Sequence, residues 1–165
     1  MPPIFWTQEQ DIGPQPRVSH ACAYDTASQR VIVFGGDPGG QPLDDTWAWD
    51  GNLWTQVADM GPSPRHGAGI VDEAASQRLL LFGGGSGPDV LDDTWVFGAG
   101  GWTQVADTGP SARINHAMAY DPQRQRAVLF GGQAAGLFGD TWEWDGRRWE
   151  LKDAGVVRAR VDNGH

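Results

Sequence analysis

The apolar positions of this chain fall into two kinds of short run. The first is apolar throughout: Val31-Ile32-Val33-Phe34, Leu79-Leu80-Leu81-Phe82 and Ala127-Val128-Leu129-Phe130, each stopping at a double glycine. Such a run predicts a strand covered on both faces, as when sheets stack on sheets. The second kind alternates. His20, Cys22 and Tyr24 point one way and Ala21 and Ala23 the other, while Trp47 and Trp49 share a face with Ala48 opposite. Period-two alternation predicts strands, and TASQ, AASQ and PQRQ predict the turns that end the first of them.

Read in order, each unit holds four strands. Strand A starts at Arg17, Arg65 or Arg113, and strand B is the apolar run. Strand C carries Trp47 and Trp49, Trp95 and Phe97, or Trp142 and Trp144. Strand D begins at Trp54, Trp102 or Trp149, seven residues after the first Trp of strand C in every unit. Asp50-Gly51 and Asp145-Gly146 predict hairpin turns, because Gly takes positive φ without steric cost. Phe34-Gly35-Gly36 recurs at spacings of 48 and 48, and Asp45-Thr46-Trp47 at 48 and 47. A strict period of this length predicts a solenoid, propeller or array, and four-stranded meanders with one apolar and one aromatic strand predict β-propeller blades.

The double glycine closing an apolar strand, the downstream aromatic and the later Trp resemble the kelch repeat. The Arg-x-x-His before it and the Asp-Thr-Trp after it resemble the bacterial kelch-type variant. The resemblance spans roughly Phe5 to Leu151. It implies an all-β, kelch-type β-propeller segment: three four-stranded antiparallel blades at 16–57, 64–105 and 112–152, with an orphan outer strand at 1–10 and a tail at 153–165. The orphan strand is read from Phe5-Trp6-Thr7-Gln8, which matches Leu53-Trp54-Thr55-Gln56 at a spacing of 48. Closed propellers have four to eight blades. The expectation is a fragment of a longer array, which the orphan strand favours, an open array, or half of a homodimer closing a six-bladed ring, in which that strand is redundant.

Composition narrows the partners. The 165 residues carry 24 Gly, 11 Pro and nine Trp, which suits short strands with tight turns rather than a disordered segment. Formal charge is −9 and the basic residues are scattered, so neither nucleic acid nor a membrane is an expected partner. The single Cys22 excludes an intrachain disulfide. The N-terminus lacks the basic and apolar regions of a signal peptide, so a full-length protein starting here is expected in the cytoplasm; a fragment carries no such implication.

The rim that collects the starts of A and C and the ends of B and D is the expected place for recognition. Arg17, Arg65 and Arg113 there read either as guanidinium forks for an anion or, preferably, as partners of Asp45, Asp93 and Asp140 in one structural pair per blade. The B–C loops at 37–44, 85–92 and 133–139 diverge, and loops on a rigid scaffold carry recognition. Asp37, Gln41, His66, Asp89, Gln133, Leu137 and Phe138 are the candidate binding residues. Leu137 and Phe138 form an apolar tip that either anchors a partner or folds back on its blade. His20 and His116 read as structural.

Galactose-oxidase-like enzymes share the kelch propeller and use a Cys–Tyr cross-link with copper. Cys22 and Tyr24 lie on one strand face, but Ile70 and Met118 hold the place of Cys22 in the other copies, which favours an apolar core position. No catalytic residue, metal site or cofactor is assigned. The expected function is a non-enzymatic binding or scaffold module presenting rim loops to a protein or glycan. The alternatives are the propeller part of a larger extracellular enzyme, or a purely structural or engineered repeat protein.

Overall fold

The computed structural model describes residues 12–155. The expected orphan strand at 1–10 lies outside them, as does most of the expected tail. Three four-stranded antiparallel sheets follow one another, each in meander order. The first holds β1 (Ala21–Asp25), β2 (Arg30–Gly36), β3 (Leu43–Trp49) and β4 (Trp54–Ala58). The second holds β5 (Gly69–Glu73), β6 (Arg78–Ser86), β7 (Asp89–Gly98) and β8 (Gly101–Ala106). The third holds β9 (Ala117–Asp121), β10 (Arg126–Phe130), β11 (Thr141–Trp144) and β12 (Trp149–Asp153). This is the all-β blade architecture that the repeat predicts.

The core lies between the sheets. The trailing face of the first sheet (Ala21, Ile32, Phe34, Ala48) packs on Leu79, Leu81, Phe97 and Trp102 of the second. The trailing face of the second (Val71, Leu80, Phe82, Val96) packs on Ala127, Leu129, Trp144 and Trp149 of the third. The middle strand β6 is therefore covered on both sides, and Leu79, Leu80, Leu81 and Phe82 are each 0 % exposed. Each such side chain contributes roughly 1.5–3 kcal/mol. At the same motif position in the third sheet, Phe130 is 56 % exposed.

Cross-sheet bonds reinforce the stack. Trp102 Nε1 donates to Thr46 Oγ1 at 2.8 Å and Trp149 Nε1 to Thr94 Oγ1 at 2.9 Å, so the indole of one strand D is anchored on the preceding sheet. At the second junction Arg78 also donates to the Gly146 carbonyl at 2.9 Å, across the rim formed by the A–B and C–D turns. Its counterpart Arg30 makes no such bond. It lines a cavity of about 480 Å³ shared with Asp25, Val57 and Phe97.

Three expectations are corrected. Strand A begins four residues later than Arg17, Arg65 and Arg113, at Ala21, Gly69 and Ala117. Ser19, Gly67 and Asn115 take φ of 54°, 65° and 57°, which breaks the extended chain just before it. Second, 85–92 is no irregular loop: Gly85 pairs with Val90 and Ser86 with Asp89, so β6 and β7 run on to a Gly87-Pro88 turn. Third, Cys22 is exposed, not a core residue. Its face is the leading face of the first sheet, whereas Ile70 and Met118 lie against the sheet before them.

Candidate functional site: the upper rim

The ends of β2, β6 and β10 and the starts of β3, β7 and β11 share one rim with the segments that precede β1, β5 and β9. Here each arginine turns back onto its own sheet. Arg65 donates to both oxygens of Asp93 (2.6 and 2.9 Å) and to the Gly83 carbonyl (3.0 Å). Arg113 does the same with Asp140 (2.6 and 2.9 Å) and Gly131 (2.8 Å). Arg17 reaches Asp45 and the Gly35 carbonyl in the same way. The outer carboxylate oxygen also accepts the indole N–H of Trp47, Trp95 or Trp142, at 2.7, 2.7 and 2.8 Å. Strand alternation brings this about: Asp and Trp two residues apart share a face, and the Arg fork matches the carboxylate plane.

Electrostatics follow the geometry. Burial works against ionisation of Asp45 and Asp93, but the bonds from arginine and indole outweigh it and hold both carboxyls below the ordinary value. For Asp140 the bond from Arg113 is the largest influence, with the same outcome. The three guanidinium groups are almost wholly buried (side chains 4 %, 1 % and 0 % exposed), so they do not face solvent as an anion-binding ring.

The double glycines let neighbouring sheets meet at this rim. Gly35 has φ of +62°, and a Cβ there would stand 2.5 Å from the Arg65 carbonyl oxygen. With no Cβ in the way, Gly36 N–H donates to the Arg65 carbonyl (2.8 Å), Arg65 N–H to Leu43 (3.0 Å) and Gly67 N–H to Ser19 (2.8 Å). The same three bonds recur one sheet later: Gly84 to Arg113 (3.0 Å), Arg113 to Leu91 (3.2 Å) and Asn115 to Gly67 (2.9 Å).

The candidate binding residues are only partly brought together. Asp37 and His66 come close across the first junction; the Asp37 carboxyl lies below its ordinary value chiefly through bonds from the Gly39 and Gly40 N–H groups, with His66 assisting. Both residues are tied down by backbone bonds, Asp37 to Val18 and His66 to Gly85. Gln41 is exposed in the first loop and Asp89 at the hairpin tip. Gln133 bridges to Ile114 and Leu137. Phe138 does fold back, its ring 4.0 Å from the Arg113 guanidinium carbon, while Leu137 projects, 87 % exposed.

Sequence reasoning passed over Asp44 and Asp92 as site residues. Both are exposed on this rim, Asp44 at the start of β3 beyond the half-buried Asp37 of the preceding loop, and Asp92 on β7 beyond Asp89 at the hairpin tip. The doublets Asp44-Asp45 and Asp92-Asp93 carry the signal: neighbours on a strand point to opposite faces, so if one acid holds the arginine the other faces water. Arg30, Arg78 and Arg126, which open β2, β6 and β10, and Arg124, Arg147 and Arg148 in the turns all lie at the opposite rim. Among the described residues, the upper rim thus presents acids whose nearby arginines are already paired.

His116 is buried, as a structural residue would be. It is 8 % exposed between the second and third sheets, edge-on to Phe82, and neither ring nitrogen makes a well-formed hydrogen bond to a described residue, the Phe82 backbone being a weak partner only. Burial, aided by the Arg113 charge, pushes its pKa down to about 4. Gly69 opposite makes room, since a Cβ there would lie 2.6 Å from His116 Nε2. No group of three His, Cys, Asp or Glu side chains among the described residues is arranged to hold a metal ion. No helix among them is long and apolar enough to cross a membrane.

Comparison with curated proteins finds no match to the chain. The profile of the KLHDC2/KLHL20/DRC7 Kelch-repeats domain matches residues 6–154, which takes in all three sheets and both junctions. A domain of this kind fits a protein-binding propeller module. The chain belongs to the Kelch-repeat family.

Proposed function

We propose that this chain is a non-enzymatic protein-binding module whose upper rim takes a basic segment of its partner, with Leu137 as the apolar contact. One observation carries the reading: Arg17, Arg65 and Arg113 are consumed by Asp45, Asp93 and Asp140, which leaves Asp37, Asp44, Asp89 and Asp92 to set the sign of the rim. Like-signed charges on one surface steer an oppositely charged partner and reject a like-charged one. An exposed leucine among them supplies desolvated contact that charge alone does not. A glycan fits less well, because the N–H groups of the three rim indoles are engaged by aspartate.

The test is fluorescence anisotropy with three labelled probes: an Arg/Lys-rich peptide, an Asp/Glu-rich peptide of equal length and a neutral oligosaccharide. Only the basic peptide should bind, with affinity falling as salt rises and falling further in the Asp37→Asn, Asp89→Asn, Asp92→Asn triple variant. Equal binding by the acidic peptide, or no effect of the triple variant, refutes the assignment.

A further inference from the structure

The junction bonds repeat so regularly that a set without partners among the described residues is conspicuous. Counterparts of the three groups that the first and second sheets offer at their trailing edge exist in the third: Gly132 N–H, Phe138 C=O and Asn115 C=O. None of them bonds to a described residue in that role. They border an open pocket of about 350 Å³ lined by Asn115, Gly131, Gly132, Leu137 and Phe138, where the other junctions hold the backbone of Arg65 or Arg113. Beside it, Phe130 is 56 % exposed, whereas Phe34 and Phe82 are 1 % and 0 % exposed against Trp102 and Trp149. Ala117 and Ala119 are exposed as well, although Ala21 is buried.

We propose that this trailing face docks the leading face of the first sheet of a second copy, so that two chains close a six-sheet ring. The occupant is fixed by continuity with the two internal junctions. What they show is an Arg-x-Gly or Arg-x-Asn backbone with the third residue at positive φ, a conformation that Ser19 shares (φ 54°), followed by a strand whose leading face is apolar. The first sheet supplies Arg17-Val18-Ser19, then Cys22 at the place of Ile70 and Met118, with Val31 and Val33 where Leu79 and Leu81 stand. On that face Cys22 is exposed and Tyr24 is 53 % exposed, whereas Val33 and Trp47 are 6 % and 8 % exposed, so the contact would run along the edge that carries Cys22 and Tyr24. Six sheets fall within the four to eight that close a propeller.

The third junction differs from the others in one respect. Glu143, paired with Arg124 at 2.7 Å, stands in register where the other sheets carry Ala48 and Val96. That makes the contact more polar than the two internal ones, as befits partners that also exist apart.

Sedimentation equilibrium over a wide concentration range tests the ring. The parent should pass from one protomer mass to two and no further. Phe130→Asp and Cys22→Lys each alter an exposed side chain, so each should keep its thermal transition while its dimer dissociation constant rises on the order of 30-fold or more. Mixed together, the two variants should recover the dimer, since one junction regains its native pair and the other gains Asp opposite Lys. A single protomer mass at every concentration overturns the proposal. So does a dimer that Phe130→Asp leaves intact, or a mass that grows past two, the mark of a head-to-tail contact that does not close. The rim reading is scored separately, by repeating the basic-peptide titration on Phe130→Asp.

Discussion

Arg65 and Asp93 are locked together twice over, through Nη1 and Nη2, in a site where the arginine side chain is 1 % exposed. Removing one partner strands the other. Asp93→Ala should cost about 3–5 kcal/mol, because a buried guanidinium loses its counter-charge. The double variant Arg65→Met, Asp93→Leu should recover most of that loss, since an apolar pair carries no desolvation penalty. Urea denaturation of the three proteins decides it. Equal destabilisation by single and double variants would show that the pair contributes net stability.

His116 gives the pH dependence its shape. The folded value of about 4 lies below the ordinary 6.5, so in the window between them the unfolded chain takes up a proton that the folded chain refuses. Stability therefore falls as pH falls from 6.5 to 4, by about 3 kcal/mol in all, and this contribution levels off below 4. The rim carboxylates act lower down. Their folded values are depressed, so the stability they confer is present above the ordinary carboxylate value and is lost as pH falls through the folded one. His116→Ala should flatten the upper limb only. Denaturant midpoints measured from pH 7 to pH 4 check the slope independently of any change in absolute stability.

A pair of phenylalanines at one motif position makes an internal control. Phe82→Ala should cost about 3–5 kcal/mol, for the side chain is sealed between two sheets. Phe130→Ala, measured at concentrations too low for chains to associate, should stay within about 0.5 kcal/mol. Thermal melts of both suffice; equal shifts would mean that Phe130 is covered in solution.

Two glycines outside the strands, Gly61 and Gly109, are steric requirements. A Cβ at Gly61 would stand 2.5 Å from Trp102 Cδ1, and one at Gly109 would stand 2.5 Å from Trp149 Cδ1. Gly109→Ala should therefore cost roughly 1–3 kcal/mol by overpacking, with backbone strain at φ +147° added to it. Gly40→Ala, with nothing within 4 Å and no unusual φ, should be neutral. Denaturation curves of the two side by side separate crowding from loss of chain flexibility.

How much of this could be read from the chain depends on whether a property repeats. The strands, their order and the apolar B runs were legible because three copies display the same alternation. The arginine–aspartate geometry was within reach for the same reason, since a motif held at a fixed offset in every copy has one partner per copy. The start of strand A was not legible. It hinges on left-handed residues at Ser19 and Asn115, and only Gly67 at the matching position hints at them. Burial of individual faces was also hidden. His20 and His116 are equivalent in sequence, yet only His116 has a described sheet packed over it; Cys22 and Met118 part company for the same reason. A repeat reports what each unit is, and position in the stack decides what each face meets.

The bond from Arg78 to Gly146 has no twin at the first junction, where Arg30 borders a cavity instead. The second and third sheets are consequently hydrogen-bonded at both edges, and the first is bonded to the second at the upper edge and only packed against it toward the turns, like a page bound along its spine. Thermal breathing should swing that page open from the turn side, with Gly36 and Arg65 amides as its pivot and among the slowest to exchange. A molecule that wedges between sheets will find its way in beside Arg30 and Phe97.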